Sequence, residues 1–306
     1  MELPSLINQV KSVKIQGASN IAKTILAEIS KIISRKNYQE AGDLFFDFSS
    51  LKKKFLNLRP TEPLLENGFN YIEEVWPPAT EVKILKKEIT KLINKYLFLI
   101  KQNEIKIAKF GSQLIKNKER ILTHCHSSLV ENILIKTKKL NKKFTVYTTE
   151  TRPLFQGRLT AKNLLKNQIP TLMVADSAAS FLISRYSGKD LMMDKIIIGA
   201  DALRHNGAVI NKIGSFGIGL AAWHEKTPLY IATTLLKLDA DNKIKIEQRS
   251  GKEIWPQAPK NLRIINYAFD QVPAEFITGI ICEFGVIRPN QVKGLVEKNY
   301  PWLMKR

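Results

Sequence analysis

The sequence has few cysteines, no long apolar segment and few acidic residues relative to basic ones. Only Cys125 and Cys282 occur among 306 residues, which argues against a disulfide framework and makes a reducing cytoplasm the expected location. No apolar run approaches the roughly 18 residues that a membrane span needs. The N-terminal MELPSLINQV lacks the basic and apolar regions of a signal peptide. We therefore expect a cytoplasmic protein with no membrane partner.

Basic residues exceed acidic ones by 48 to 28, which gives a net charge of +20. Such a charge permits nucleic acid, lipid headgroups or small anions as partners. The lysines are scattered, however, and no aromatic-interleaved basic stripe accompanies them. This pattern favours solvated faces of a lysine-rich protein, with nucleic-acid contact as the alternative.

Residues 1 to about 115 have the rhythm of helices. In ASNIAKTILAEISKIISRK, the positions Ile21, Ile25, Ile29 and Ile32 recur at helical spacing, and Ser19 or Asn20 is expected to cap the start. The segment EVKILKKEITKLINKYLFLIKQNEIKIAKF predicts a second, longer helix.

After about residue 117, short apolar segments alternate with helical ones. This alternation predicts a parallel sheet with crossover helices. The near-continuous apolar strands indicate burial on both faces. The sequence thus predicts an α/β fold, with an N-terminal helical domain over 1–116 and a Rossmann-like parallel-sheet domain over 117–306 that has helices on both faces.

Polar residues follow the predicted strands at their carboxyl ends, where open parallel sheets bind ligands. They are Cys125, Glu150, Arg152, Asp176, Asp201, Thr233, Thr234 and Lys237. Five strands that deliver polar groups to one edge indicate a site there.

Cys125, in LTHCHSS, has two readings. It is either a small buried side chain or a thiol facing a helix N-terminus, whose pKa would be lowered. Strand alternation would place His124 and His126 on the face opposite Cys125. Their spacing lacks the usual pattern of zinc ligands, so we expect no metal.

Asp201 ends the most apolar strand, in KIIIGAD, and is either a helix cap or the mouth of a site. Asn211 and Lys212 follow it within an apolar stretch, and a lysine near a helix start suits a phosphate. The order of Gly214, Gly217 and Gly219 does not fit a dinucleotide fingerprint, so we read these glycines as allowing close helix packing and expect no cofactor.

These blocks together resemble the family that joins the alpha, beta and delta subunits of initiation factor 2B with 5-methylthioribose-1-phosphate isomerase and ribose-1,5-bisphosphate isomerase. The matching stretches include KIQGASNIA, ILTHCHSS, TTETRPLFQGRLTA, VADSAA and IIIGADALRHNGAVINKIG. The catalytic Cys and Asp of the isomerases fall on Cys125 and Asp201. The ETRPLFQGRLTA and DSAA blocks are similar to the archaeal ribose-1,5-bisphosphate isomerase branch.

The resemblance implies an aldose–ketose isomerase that converts ribose 1,5-bisphosphate to ribulose 1,5-bisphosphate. It implies Asp201 as the acid and Cys125 as the base. Physically, burial behind KIII would raise the pKa of Asp201. The implied substrate site consists of Gln16, Gly17, Ala18, Ser19, Arg59, Ser127, Ser128, Leu129, Asn211, Lys212 and Lys237.

Two positions depart from the family pattern. Gln16 stands where an arginine is usual, and Ser128 stands where a lysine is frequent, so two cationic phosphate contacts are missing. The alternatives are 5-methylthioribose-1-phosphate isomerase, or a regulatory subunit that contacts a translation factor or RNA. The resemblance further suggests AMP as an activator and a homodimer or an assembly of dimers.

Overall fold

The computed structural model describes residue 4 and residues 6–8, 17–58, 61–78 and 80–304. Gln16 and Arg59 lie outside the described residues, as does the side chain of Ala18. The first half is helical, as its periodicity predicts. Its helices are α1 (Ala18–Arg35), α2 (Ala41–Leu58), α3 (Pro63–Glu74) and α4 (Val82–Leu114).

The start of α1 differs from expectation. Gly17 precedes the helix with a φ of 84°, and no side chain caps it. Ser19 and Asn20 lie inside the first turn. The N-cap residue of α1 therefore gives no side-chain cap to the first backbone N–H groups, as a site for an anion requires.

The second half is built on a seven-stranded sheet. Its strands are β1 (Arg120–Thr123), β2 (Thr145–Thr149), β3 (Thr171–Val174), β4 (Lys195–Gly199), β7 (Leu229–Ala232), β11 (Gly279–Cys282) and β12 (Gly285–Ile287). Their order across the sheet is β12-β11-β7-β4-β1-β2-β3. All neighbouring pairs are parallel except β11 with β12.

Helices and small sheets connect these strands. The helices are α5 (Ser128–Lys139), α6 (Gln156–Lys166), α7 (Ala179–Ile183), α8 (Ser215–Glu225) and α9 (Val292–Asn299). The additional strands are β5 (Ala202–Leu203), β6 (Val209–Lys212), β8 (Gln248–Arg249), β9 (Asn266–Tyr267) and β10 (Phe269–Val272). Strand β6 lies between β5 and β10, antiparallel to both, and β8 pairs with β9.

The residues of β4 show why both faces of the sheet are covered. All five are buried. Ile196 and Ile198 join one apolar cluster that extends into the N-terminal helices, whereas Ile197 joins a second cluster with α5. The predicted α/β class with helices on both faces is therefore confirmed, and a domain boundary at 116/117 stays a prediction. No helix in the described ranges is long and apolar enough to cross a membrane.

The glycines at α8 have different roles. Gly214 precedes the helix with a φ of 104°. A Cβ on Gly219 would lie 2.9 Å from Val272, so close packing requires a glycine there, as expected. A Cβ on Gly217 would meet no atom within 4 Å, so the packing interpretation is wrong at that position.

Candidate active site

The strand order reverses between β1 and β4, which are neighbours in the sheet. From β1 the chain proceeds outward to β2 and β3, whereas from β4 it proceeds in the other direction to β7 and β11. The loops that leave the carboxyl ends of β1 and β4 therefore diverge and open a crevice, where open α/β sheets bind ligands. Cys125 lies two residues beyond β1, and Asp201 lies two residues beyond β4.

One pocket occupies this crevice, with about 740 Å³ of empty space that includes its open mouth. Its lining brings together most of the expected residues: Gly17, Ser19, Cys125, Ser127, Ser128, Asp201, Asn211, Lys212 and Lys237.

Leu129 does not line the pocket with its side chain, which is buried in the core between α5 and the sheet. It follows Ser127 and Ser128 in the first turn of α5, so only its backbone N–H faces the helix N-terminus. A Cβ on Gly199 would lie 2.7 Å from the Ser127 hydroxyl, so the end of β4 approaches this turn closely only because residue 199 is glycine.

Asp201 does not cap a helix. Its backbone N–H donates to the carbonyl of Ile210 at 2.9 Å, beside the paired strands β5 and β6. The same pairing carries Asn211 and Lys212 into the pocket wall, where both are buried. The Asn211 amide donates to the Ser215 hydroxyl at 2.8 Å, which fixes Asn211 against the start of α8. An acid, an amide and a lysine thus converge through strand pairing.

Lys237 is buried, and its ammonium donates to the carbonyl of Ala200 at 2.7 Å. Burial lowers its pKa, and the nearby Asp201 carboxylate opposes that effect. The pocket therefore contains a second buried amine beside the carboxylate that ends β4.

The pKa of the Cys125 thiol differs from expectation. Burial raises it to about 12, while the Lys212 ammonium lowers it and the Asp201 carboxylate raises it. The N-terminus of α5 lies close to Cys125 in sequence, but desolvation outweighs any favourable field there. In the ligand-free protein the thiol is protonated at neutral pH.

The imidazoles of His124 and His126 both bind other groups of the protein. His124 is buried between Thr149 and the carbonyl of Ile213, and burial lowers its pKa. His126 lines the pocket, with Nδ1 3.0 Å from the Glu131 carboxylate. Among the described residues, no group of three or more His, Cys, Asp or Glu side chains is placed to hold a metal ion.

Several polar residues expected at the sheet edge bind protein groups and do not line the pocket. Asp176 accepts the backbone N–H groups of Thr151 and Arg152 at 2.7 and 2.6 Å. Glu150 pairs with Arg158. Thr233 and Thr234 are buried, and the Thr234 hydroxyl donates to Glu283 at 3.0 Å.

Sequence reasoning missed four polar residues of the pocket, namely Glu62, His126 as a pocket residue, Gln156 and Arg249. The Gln156 side-chain oxygen is buried and has no hydrogen-bond partner among the described residues. Gln156 falls within the quoted motif TTETRPLFQGRLTA, so that motif was an available signal. Arg249 lies in β8, whose two residues show no strand periodicity.

Comparison with known proteins gives a consistent result. The family model described as the initiation factor 2 subunit family matches residues 14–289. Ribose 1,5-bisphosphate isomerase of Pyrococcus furiosus is 30% identical over 99% of this chain and 96% of its own length. Methylthioribose-1-phosphate isomerase of Natranaerobius thermophilus is 36% identical over 72% of this chain and 66% of its own.

Among solved structures, the translation initiation factor eIF-2B of Pyrococcus horikoshii OT3 superposes with a TM-score of 0.80 at 25% identity. The match covers 94% of this chain and 97% of that one. Isomerases and translation factors therefore share this fold.

Proposed function

The chain belongs to the initiation factor 2 subunit family and is a sugar-phosphate isomerase within it, and we propose that it converts ribose 1,5-bisphosphate to ribulose 1,5-bisphosphate. The observation that carries this proposal is the joint presence of Cys125 and Asp201 in one pocket at the strand-order reversal. An aldose–ketose isomerisation needs one group that supplies a proton and one that removes a proton from C2.

Asp201 acts as the acid and protonates the ring oxygen, and Cys125 acts as the base at C2. The phosphate on the anomeric oxygen blocks simple ring opening, so the acid is required. The two groups are electrostatically coupled, because the Asp201 carboxylate raises the pKa of the thiol. When Asp201 holds its proton this repulsion is absent, and loss of the thiol proton becomes easier. In the active state the pair carries one proton, which the Cys125 thiol gives up to the Asp201 carboxylate. Asp201 then passes that proton to the ring oxygen, and the Cys125 thiolate removes the proton from C2.

Two helix N-termini supply anion-binding N–H groups to the pocket. The first turn of α1 approaches with Gly17 and Ser19, and the first turn of α5 approaches with Ser127 and Ser128. Each leaves backbone N–H groups unsatisfied within the helix, and the helix dipole favours negative charge there. Two such sites in one pocket favour a bisphosphate over a monophosphate.

Arg249 supplies a cation that compensates for Ser128 at the position where a lysine is frequent. It lines the pocket, its side chain is only 11% exposed, and its Nε donates to the Glu247 carboxylate at 2.9 Å. The remaining guanidinium N–H groups can bind phosphate bidentately. Lys212 and Lys237 complete the described cations of the pocket.

Gln156 orients the sugar. Its buried side-chain oxygen lacks a partner among the described residues, and a buried acceptor of this kind is costly unless a ligand donates to it. A ribose hydroxyl is a suitable donor. This contact distinguishes a sugar phosphate from a bare phosphate ion.

The second candidate function is isomerisation of 5-methylthioribose 1-phosphate. The relative at 36% identity carries that name, and Ile21 and Phe269 give the pocket lining an apolar part that a methylthio group could contact. A single phosphate would leave one of the two helix N-termini without an anion. We therefore favour the bisphosphate.

The test is incubation of purified protein with each sugar phosphate, with the ketose product followed by phosphorus NMR. We expect turnover of ribose 1,5-bisphosphate, faster than that of 5-methylthioribose 1-phosphate and absent in Asp201→Asn. Preference for the methylthio substrate would select the second candidate. If neither compound reacts, with or without AMP, the chain is a regulatory subunit of the translation-factor type.

Self-association uses the exposed face of α8. Phe216, Leu220 and Trp223 are each more than two-fifths exposed on this helix, and the first and last contact the ring of Phe276. Phe181 of the adjacent α7 extends the apolar surface. A contiguous surface of this kind marks a protein–protein contact, and we propose a second copy of this chain as its partner.

A further inference from the structure

The backbone of Cys125 has a φ of 67°, in the left-handed region that residues other than glycine rarely adopt. Such a conformation persists only where surrounding contacts hold it. Contacts are present on both sides of the residue. The Cys125 N–H donates to the Thr151 hydroxyl at 3.0 Å, and the Thr160 hydroxyl donates to the Cys125 carbonyl at 3.0 Å.

On the N–H side, the direction of every hydrogen bond can be deduced from one carbonyl. The Ile213 carbonyl can only accept, so His124 Nε2, at 2.9 Å, carries a proton. His124 is neutral because burial lowers its pKa. Its Nδ1 is then an acceptor, and the Thr149 hydroxyl at 2.7 Å must donate to it.

The Thr149 hydroxyl has a single proton, which is now committed to His124. At 3.1 Å from the Thr151 hydroxyl it must therefore accept, so Thr151 donates to Thr149. The Thr151 oxygen is left to accept from the Cys125 N–H. A directed chain of four hydrogen bonds thus connects Cys125 to the carbonyl of Ile213, which directly follows Lys212.

On the carbonyl side the same reasoning places a proton on Nδ1 of His126. The Thr160 proton is committed to the Cys125 carbonyl, and the Glu131 carboxylate only accepts. His126 Nδ1, which is 3.2 Å from Thr160 and 3.0 Å from Glu131, must carry a proton. Asn163 holds the carboxylate in place with bonds of 3.2 and 3.1 Å.

We propose that His124 and His126 are positioning residues of opposite tautomer, which fix the strained backbone of Cys125 and couple it to the segment that carries Lys212. This rests on the proposed function only for its kinetic consequences, since the tautomers do not depend on any substrate. Cys125, the base, and Lys212, which binds phosphate, would then move together, because the four hydrogen bonds join their backbone segments. A change in one loop is transmitted to the other without contact between the two side chains.

The direct test is the tautomer of each imidazole, read by NMR of protein labelled with ¹⁵N in histidine. The sequence has only four histidines, so the spectrum is simple. Thr149→Val identifies the His124 signals, and Glu131→Gln identifies those of His126. We expect a proton on Nε2 of His124 and on Nδ1 of His126 at pH 8. A proton on Nδ1 of neutral His124, or one tautomer shared by both, overturns the proposal.

The functional test compares three variants in β2. Thr149→Val removes one hydroxyl from the chain, and Thr149→Ser restores it. Thr148→Val is the matched control, because Thr148 is also fully buried but, within the described part of the chain, its hydroxyl bonds only the adjacent carbonyl of Thr149. We expect Thr149→Val to lower kcat about tenfold, the effect of one buried hydrogen bond. KM should stay within about twofold, because none of these four hydrogen bonds involves the substrate.

Normal kcat in Thr149→Val, or an equal loss in Thr148→Val, overturns the coupling. If wild-type protein turns over no sugar phosphate, the proposed function has failed. The histidine tautomers and the rate of Cys125 alkylation in Thr149→Val against Thr148→Val then decide the positioning role. Either equal alkylation rates or unexpected tautomers would refute it.

Discussion

The helical half and the sheet half of this protein are stabilised in different ways. In α1 to α4, buried apolar side chains recur at helical spacing. Phe48 of α2 makes an edge contact with Phe69 of α3 and a tilted ring contact with Trp76, which follows α3. Among the described residues, every non-glycine residue with a positive φ lies at or after Lys118. Cys125, Thr151 and Phe155 are three of them, all in loops at the carboxyl edge of the sheet.

The helical half therefore contributes mainly to stability, and the sheet half contributes mainly to the chemistry of the pocket. Regular helices give one wall of the pocket and the first turn of α1, whereas the sheet half supplies the proposed acid, base and cations. The left-handed conformations of Cys125, Thr151 and Phe155 lie at the edge of the sheet that carries the pocket, and such conformations persist only where surrounding contacts hold them. Changes in the two halves should therefore affect different measurements.

The largest effect is expected from the proposed acid–base pair. Cys125→Ser and Asp201→Asn should each lower turnover by about 10²–10⁴-fold, the usual contribution of a positioned acid or base. Thermal unfolding should change little. Near-normal turnover of the true substrate by either variant would remove that residue from the pair.

A substitution in the helical core should lower stability and leave turnover unchanged. Phe48 is fully buried, so Phe48→Ala should lower the free energy of unfolding by about 3–5 kcal/mol. Turnover per folded molecule should be unchanged. Denaturant unfolding measures the first quantity and active-site titration the second. Phe46→Ala, on the same helix but 76% exposed, is the control and should stay within about 0.5 kcal/mol.

The proposed dimer contact lies on the surface of the sheet half, so a surface charge should disrupt the dimer there but not on the helical half. Trp223→Glu should weaken self-association by about 30-fold or more, as removal of an interface tryptophan does. Sedimentation at several protein concentrations measures this. Phe46→Glu places the same charge on the helical half and should leave the dimer intact. Dissociation by Phe46→Glu alone would move the interface to the helical half.

Lys212→Ala should weaken binding of ribose 1,5-bisphosphate by at least about tenfold, the lower end for a charge-assisted hydrogen bond. Calorimetric titration gives the Kd. Lys293→Ala is the control, because Lys293 lies exposed on α9, where its only described pairing is a 3.9 Å contact with Glu297. Equal affinity in wild type and Lys212→Ala would show that Lys212 does not bind the phosphate.

The last prediction needs no substitution and concerns how the rate of Cys125 alkylation depends on pH. Because the pKa of Cys125 is raised from 9.0 to about 12, its thiolate fraction at pH 8 is about a thousandfold lower than for an ordinary cysteine. Alkylation of ligand-free protein by iodoacetamide should therefore rise about tenfold for each pH unit from 7 to 10. Cys282 is fully buried, so mass spectrometry should find label on Cys125. A plateau near pH 9 would show an unshifted thiol.

The sequence by itself determined the fold class, because apolar periods of 3.6 and near-continuous buried strands report local geometry directly. It also determined that polar residues follow the strands, and its motifs indicated Cys125, Asp201 and Lys212. Tertiary structure alone decided that Arg249 joins them, because this residue meets the pocket only after distant segments pack together. It also decided the raised pKa of Cys125 and the tautomers of its two neighbours, since burial and the hydrogen-bond partners of a side chain depend on packing rather than on sequence spacing.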